Sequence, residues 1–223
     1  PDLIKNAFIS AEDKNFYEHP GYDMRGIFAA LVDAIQSRGK RIRGASTITQ
    51  QVMKNFLLDR SRRAERKVKE IILATRIERS LTKEQILELY LNEIFLGQNS
   101  YGITAASQTY FNKTLDELAP HEAAFLAALP KAPSDYHPVR EKERLFERRN
   151  YVLKEMFQNG YLPKRIYEYE LTQPVKSVQG RDYTGFRSKL PSRNYFTDEI
   201  RRQLSGTFGE EEFFTGGMTV RST

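Results

Sequence analysis

"TKEQILELYLNEIFLG", residues 82–97, is the stretch whose reading decides the fold. Thr82 stands three residues before Gln85, the spacing of a capping box, in which the hydroxyl accepts one helix-end amide and the Gln side chain returns to the other. Apolar residues fill most of the helical circumference and Gly97 closes the run, so the stretch predicts a central buried helix. Upstream, "STITQQVMKNFLLD" (46–59) repeats the spacing from Thr47 to Gln50. Its Ile48, Val52 and Phe56 form a stripe flanked by Met53 and Leu57, while Thr47, Gln51, Lys54 and Asn55 share another face that, in isolation, reads as a solvated side. Downstream, helices are predicted near 101–111, 119–129 and 139–158, the last closing at Asn159-Gly160. Residues 8–158 are therefore mainly helical, interrupted by the proline-punctuated loop "LPKAPSDYHP" (129–138).

The helix predicted at 61–80 carries more chemistry. Arg63, Arg66, Lys67 and Glu70 fill one strip, bordered by Leu73 and Ile77 on one side and Ala64, Val68 and Ile71 on the other. Charges between two apolar borders suit the wall of a cleft, although an exposed Arg66–Glu70 ion pair would account for part of the pattern. "MRGIFAALVDAIQSRGKRIRG" (24–44) sets Met24, Ile27, Phe28, Leu31 and Ile35 in a stripe ahead of Arg38, Lys40, Arg41 and Arg43. Such a stripe faces either a protein core or an anionic membrane surface.

"SAEDKNFYEHPGYD" (10–23) pairs two carboxylates near the first of three histidines. Were the segment helical up to Pro20-Gly21, Glu12, Phe16 and His19 would share a face and Asp13 would point about 100° away. An exposed acidic turn offsetting Lys14 is the plainer reading.

Bulk composition narrows the classes. The 223 residues are 39% hydrophobic with 14 Phe and 12 Tyr, enough for a sizeable core. There is no cysteine, which excludes disulfides, thiolate nucleophiles and cysteine-rich zinc sites. A net charge of +6, from 35 basic and 29 acidic residues, favours an anionic partner. No apolar run reaches membrane-spanning length, and the chain begins at Pro1 without a signal-like segment, so it reads as a piece of something longer whose anchor lies elsewhere. After about residue 172 the texture changes to "QPVKSVQGRDYTG" and finally "FFTGGMTVRST", read as loop and short strand with one helix near 194–205. This divides the chain into a domain at 1–172 and a connector at 173–223.

Five motifs in order resemble the peptidoglycan glycosyltransferases of family 51, the polymerase domain of class A penicillin-binding proteins and of monofunctional transglycosylases. They are "EDKNFYEHPG" (12–21), "GASTITQQ" (44–51), "RKVKE" (66–70), "KEQILELYLN" (83–92) and "RRNYVL" (148–153). The closing "GGMTVRST" is similar to the family's lead-in to a transpeptidase domain, which implies a bifunctional parent. The resemblance implies a mainly α, lysozyme-like fold with a large lobe and a small, mobile, membrane-facing lobe, the latter at 24–43. It implies polymerisation of lipid II on the outer face of the bacterial inner membrane, with Glu12 as general base and Asp13, Phe16 and His19 in support. Thr47, Gln51, Lys54, Asn55, Arg66 and Lys67 would bind substrate and stabilise the departing pyrophosphate. Glu70 would orient Arg66 and Lys67 or hold a divalent cation, Mg or Mn, with no cofactor obligatory. The partners implied are lipid II, the growing lipid-linked glycan, the membrane surface and other cell-wall synthesis proteins.

Three rivals stay in view. A lytic transglycosylase on the same framework would protonate a sugar leaving group and need no basic cradle. A nucleic-acid-binding module would show a continuous basic groove, against which the interspersed acids argue. A non-catalytic membrane scaffold would tolerate loss of Glu12.

Overall fold

The computed structural model describes residues 1–36, 46–57, 63–183 and 195–208. Its helices are α1 (Asp2–Glu12), α2 (Met24–Gln36), α3 (Ile48–Leu57), α4 (Arg63–Ile77), α5 (Lys83–Glu93), α6 (Ile103–Phe111), α7 (Pro120–Ala128), α8 (Lys142–Gln158), α9 (Lys164–Leu171) and α10 (Tyr195–Phe208), with a short 3-10 turn at Leu115–Glu117. Among the described residues there is no strand, only an isolated antiparallel bridge between Phe95 and Tyr101, so the expected mainly α class is the observed one. The short strands expected late in the chain are not found at 173–183, and 209–223 lie outside the described residues.

Two groups of helices organise the first compact unit, Pro1–Gly185. In one, α7 packs against both α1 and α8, which also touch each other; in the other, α3 packs against α4 and α5. The central helix is α7, not α5. Every residue from Glu122 to Ala128 is buried, and its alanines let α1 and α8 approach closely while Phe125 meets the rings of Tyr110 and Phe111 at 5.2 and 5.0 Å. Pro120 occupies the first turn, where its missing N–H costs nothing, and Glu122 accepts the backbone N–H of Ala119 at 2.9 Å. Lys113 and the Tyr183 hydroxyl satisfy the rest of that buried carboxylate.

Helix α5 has the predicted capping box: Thr82 Oγ1 accepts Gln85 N–H at 3.3 Å, and Gln85 Oε1 accepts Thr82 N–H at 2.9 Å. It buries Ile86, Leu87, Tyr90 and Leu91 on one side only, because it stops at Glu93 and the apolar Ile94–Leu96 belong to the following turn. Gly102 completes that turn at φ +76°, where a Cβ would clash with Asn92 O.

The compact unit extends past residue 172. Val175 and Ser177 are buried, Val178 N–H donates to Tyr110 O at 2.8 Å, and Gln179 Nε2 donates to Thr109 O at 3.0 Å. Buried Arg149 ties this segment to α8, donating to Gln173 O at 2.6 Å, and burial lowers its pKa to about 10. The second unit, Phe186–Thr223, contains α10, on which Arg202 and Gln203 both bond Glu199.

On α2, Met24, Phe28 and Ile35 are 63%, 68% and 69% exposed, so these three residues of the stripe do not pack into the described core, while Ile27 is half-buried. Leu31's side chain and the basic tail at 38–43 lie outside the described residues.

Candidate active site

Glu12 is the last residue of α1 and Asp13 its C-cap, with φ −158° and ψ 73°. The helix therefore ends well before Pro20-Gly21, and Glu12, Phe16 and His19 do not lie on one helical face as the helical reading would have it. A turn-rich loop carries Phe16 and His19 back over the site instead, and that reversal brings Asp13 and His19 together. The Asp13 carboxylate is buried, with both oxygens 2.9 Å from His19 Nε2 and Oδ2 accepting the Ile48 N–H at 2.9 Å. It thus holds the first amide of α3 and supplies the negative charge a helix N-terminus favours. His19 Nδ1 accepts Gly21 N–H at 3.2 Å, which fixes the tautomer with its proton on Nε2, directed at Asp13.

The loop is clamped from every side. Thr47 Oγ1 donates to Gly21 O at 2.8 Å and also accepts Gln50 N–H, forming the α3 cap. The reciprocal half of that capping box is absent, since Gln50 Oε1 is taken by Lys67. Lys83 donates to His19 O and to Glu78 at 2.7 Å each and lies 4.6 Å from the Phe16 ring centroid. Gly21, at φ +96°, presses against α4: a Cβ there would lie 2.8 Å from Ala74 O.

Glu12 faces different company. Gln51 Nε2 donates to its Oε2 at 3.0 Å, and Arg148 Nη2 stands 3.6 Å from its Oε1. The side chain is 13% exposed. Burial pushes its pKa up, opposed by the Gln51 hydrogen bond and the charges of Arg148 and Lys131, while neighbouring Asp13 adds to the rise. The buried Tyr90 hydroxyl makes no hydrogen bond to the described residues, and burial together with the Glu12 and Asp13 charges raises its pKa well above the ordinary value.

A second cluster forms on α3 and α4. Lys67 Nζ donates to Ser46 Oγ at 2.8 Å, Gln50 Oε1 at 2.9 Å and Glu70 Oε2 at 3.2 Å; Glu70 is buried and Lys67 half-exposed. Lys54 and Asn55 are exposed on the last turn of α3, and the Arg66 side chain lies outside the described residues. Among the described residues no three His, Asp or Glu gather as metal ligands, and Glu70 already faces an ammonium, so this donor set does not by itself fit a divalent cation.

The structure thus joins Glu12 with Gln51, Asp13 with His19, and Lys67 with Glu70, while the Thr47 hydroxyl is buried and spent on loop and cap. Arg148, Lys131, Tyr90 and Ser46 were not singled out from the sequence, and Gln50 only as the capping partner of Thr47. Arg148 opens "RRNYVL" and Lys131 sits in the proline loop, but neither context says which carboxylate it faces.

The described residues thus hold a shielded carboxylate, Glu12, and a lysine–glutamate cluster, Lys67 with Glu70, both contacted by side chains of α3. A family model described as Transglycosylase matches residues 1–157, and the chain belongs to that family of peptidoglycan glycosyltransferases. Relatives include proteins named Penicillin-binding protein 1A from Rickettsia felis, 44% identical over 99% of this chain and 28% of that protein, and from Escherichia coli K12, 43% identical over 97% and 25%. A crystal structure of Penicillin-binding protein 1A from Haemophilus influenzae is 43% identical, with a TM-score of 0.44, covering 59% of this chain and 19% of that one. The chain spans about a quarter of the length of the curated relatives it matches.

Proposed function

We propose that this domain polymerises lipid II into β-1,4-linked glycan by a single inverting displacement. The 4-hydroxyl of the acceptor N-acetylglucosamine attacks the anomeric carbon of the donor chain. As the new C–O bond forms, the bond to undecaprenyl pyrophosphate breaks, the pyrophosphate leaves with the electron pair, and the hydroxyl proton passes to Glu12. The observation that carries this reading is the setting of Glu12: burial raises its basicity while Gln51 and two cations keep an ionised form accessible.

The leaving pyrophosphate needs positive charge more than a proton. Lys67, held by Glu70, Ser46 and Gln50, supplies it together with Lys54 and Arg66, and Asn55 adds a hydrogen-bond donor. That basic cluster also disfavours the lytic alternative, which would have no use for it. Asp13, His19 and Phe16 act by holding the loop and α3 in place.

The exposed apolar residues of α2 support a membrane-facing surface at 24–43, on the extracytoplasmic face of the bacterial inner membrane. No described helix is long and apolar enough to cross a membrane. The segment beyond the first unit would lead to a transpeptidase domain, as the length of the relatives allows.

Labelled lipid II in detergent, with products separated by size, tests the reading. High-mass glycan from the wild type and none from a folded Glu12→Gln variant is the expected result; polymer from that variant would overturn the base assignment.

A further inference from the structure

Two oxygens of one carboxylate are treated differently. Glu12 Oε2 accepts a hydrogen bond from Gln51 at 3.0 Å, whereas Oε1 faces Arg148 Nη2 at 3.6 Å, too far for a hydrogen bond. Arg148 is itself fixed: Nη2 donates to Ala11 O at 3.4 Å, and its guanidinium lies 4.9 Å from the Tyr151 ring centroid. Its Nε is buried with no partner among the described residues, and the side chain is 13% exposed, like that of Glu12. A largely shielded arginine held against a backbone carbonyl and a ring, and ion-paired with the adjacent carboxylate at 3.6 Å without a hydrogen bond, gives charge without occupying the lone pair.

We propose that Arg148 is a positioning residue for the reaction: its guanidinium keeps the buried Glu12 carboxylate ionised and leaves Oε1 as the atom that receives the acceptor's proton. The proposal rests on Glu12 being the base. Other groups face the same carboxylate. Lys131, beyond α7, adds positive charge; Asp13 opposes it; Gln51 from α3 binds the other oxygen; and neutral Tyr90 from α5 lies beneath. Among the described residues Arg148 is the cation seated within 4 Å, so its loss is felt most.

The test is the pH profile of kcat/KM for lipid II polymerisation by the full-length protein, for wild type, Arg148→Gln and Arg148→Lys. Arg148→Gln keeps a donor for Ala11 O but no charge. Its acid limb is expected about one pH unit higher, a roughly tenfold loss at low pH that closes as pH rises. Arg148→Lys should keep the wild-type limb. A uniform loss at all pH values with the limb unmoved would make Arg148 merely structural, and an unchanged profile would remove its role; both overturn the proposal. If Arg148→Gln fails to fold, the same substitution in Glu12→Gln decides: recovery of folding shows the charge pairing and its absence refutes it. Failure of the base reading is separate, since Glu12→Gln alone would then still polymerise.

Discussion

The Asp13 carboxylate caps Ile48, a residue 35 positions further along the chain, through a 2.9 Å bond to the first amide of α3. The acid next to the proposed base is therefore an anchor. Asp13→Ala would leave that amide and the His19 Nε2 proton unpaired in a buried place, and should cost about 2–4 kcal/mol. Thermal unfolding should show Tm lower by roughly 5–10 °C. Asp13→Asn, which can still accept the amide, should lose less.

Glu12→Gln should stabilise the protein while abolishing polymerisation. The Glu12 pKa is raised on folding, so its contribution to stability is present below the unfolded value of about 4.3 and is lost as pH rises through the folded value. Gln resembles the protonated form. At pH 7 the variant should gain on the order of 1 kcal/mol, and the gain should vanish near pH 4. Paired unfolding curves at the two pH values check the sign.

Gly21→Ala combines a positive φ with a Cβ placed 2.8 Å from Ala74 O. Relief requires the loop to move off α4, taking the Thr47 and His19 bonds with it. A loss of about 2 kcal/mol or more by denaturant unfolding, with reduced activity, is expected.

Lys67→Met removes the ammonium that Glu70, Ser46 and Gln50 orient. If it stabilises charge only as pyrophosphate departs, kcat should fall roughly 100-fold or more with little change in KM. Steady-state kinetics on lipid II separates this from simple loss of substrate binding.

The helices were legible because their signals are local. The Thr82–Gln85 box and the apolar spacing of 82–93 need nothing beyond a few turns of chain. The centre of the fold was not. "AAFLAAL" is short and rich in alanine, and periodicity cannot tell a helix buried on all sides from an apolar fragment, whereas Ile94–Leu96 inflated the apparent circumference of α5. The site divided the same way. Glu12 and Lys67 stood out in motifs, but the bend after Asp13, the spent hydroxyl of Thr47 and the approach of Arg148 are tertiary facts.

Gln50 and Gln51 are consecutive on α3, yet one grips Lys67 and the other Glu12. Because α3 is riveted to Asp13 at its first amide, any swing of the helix about that rivet loosens both grips in one stroke. The proposed base and the proposed leaving-group cation are thus held by side chains of one helix, and a substrate contact at Lys54 on its last turn would act on the element that holds both.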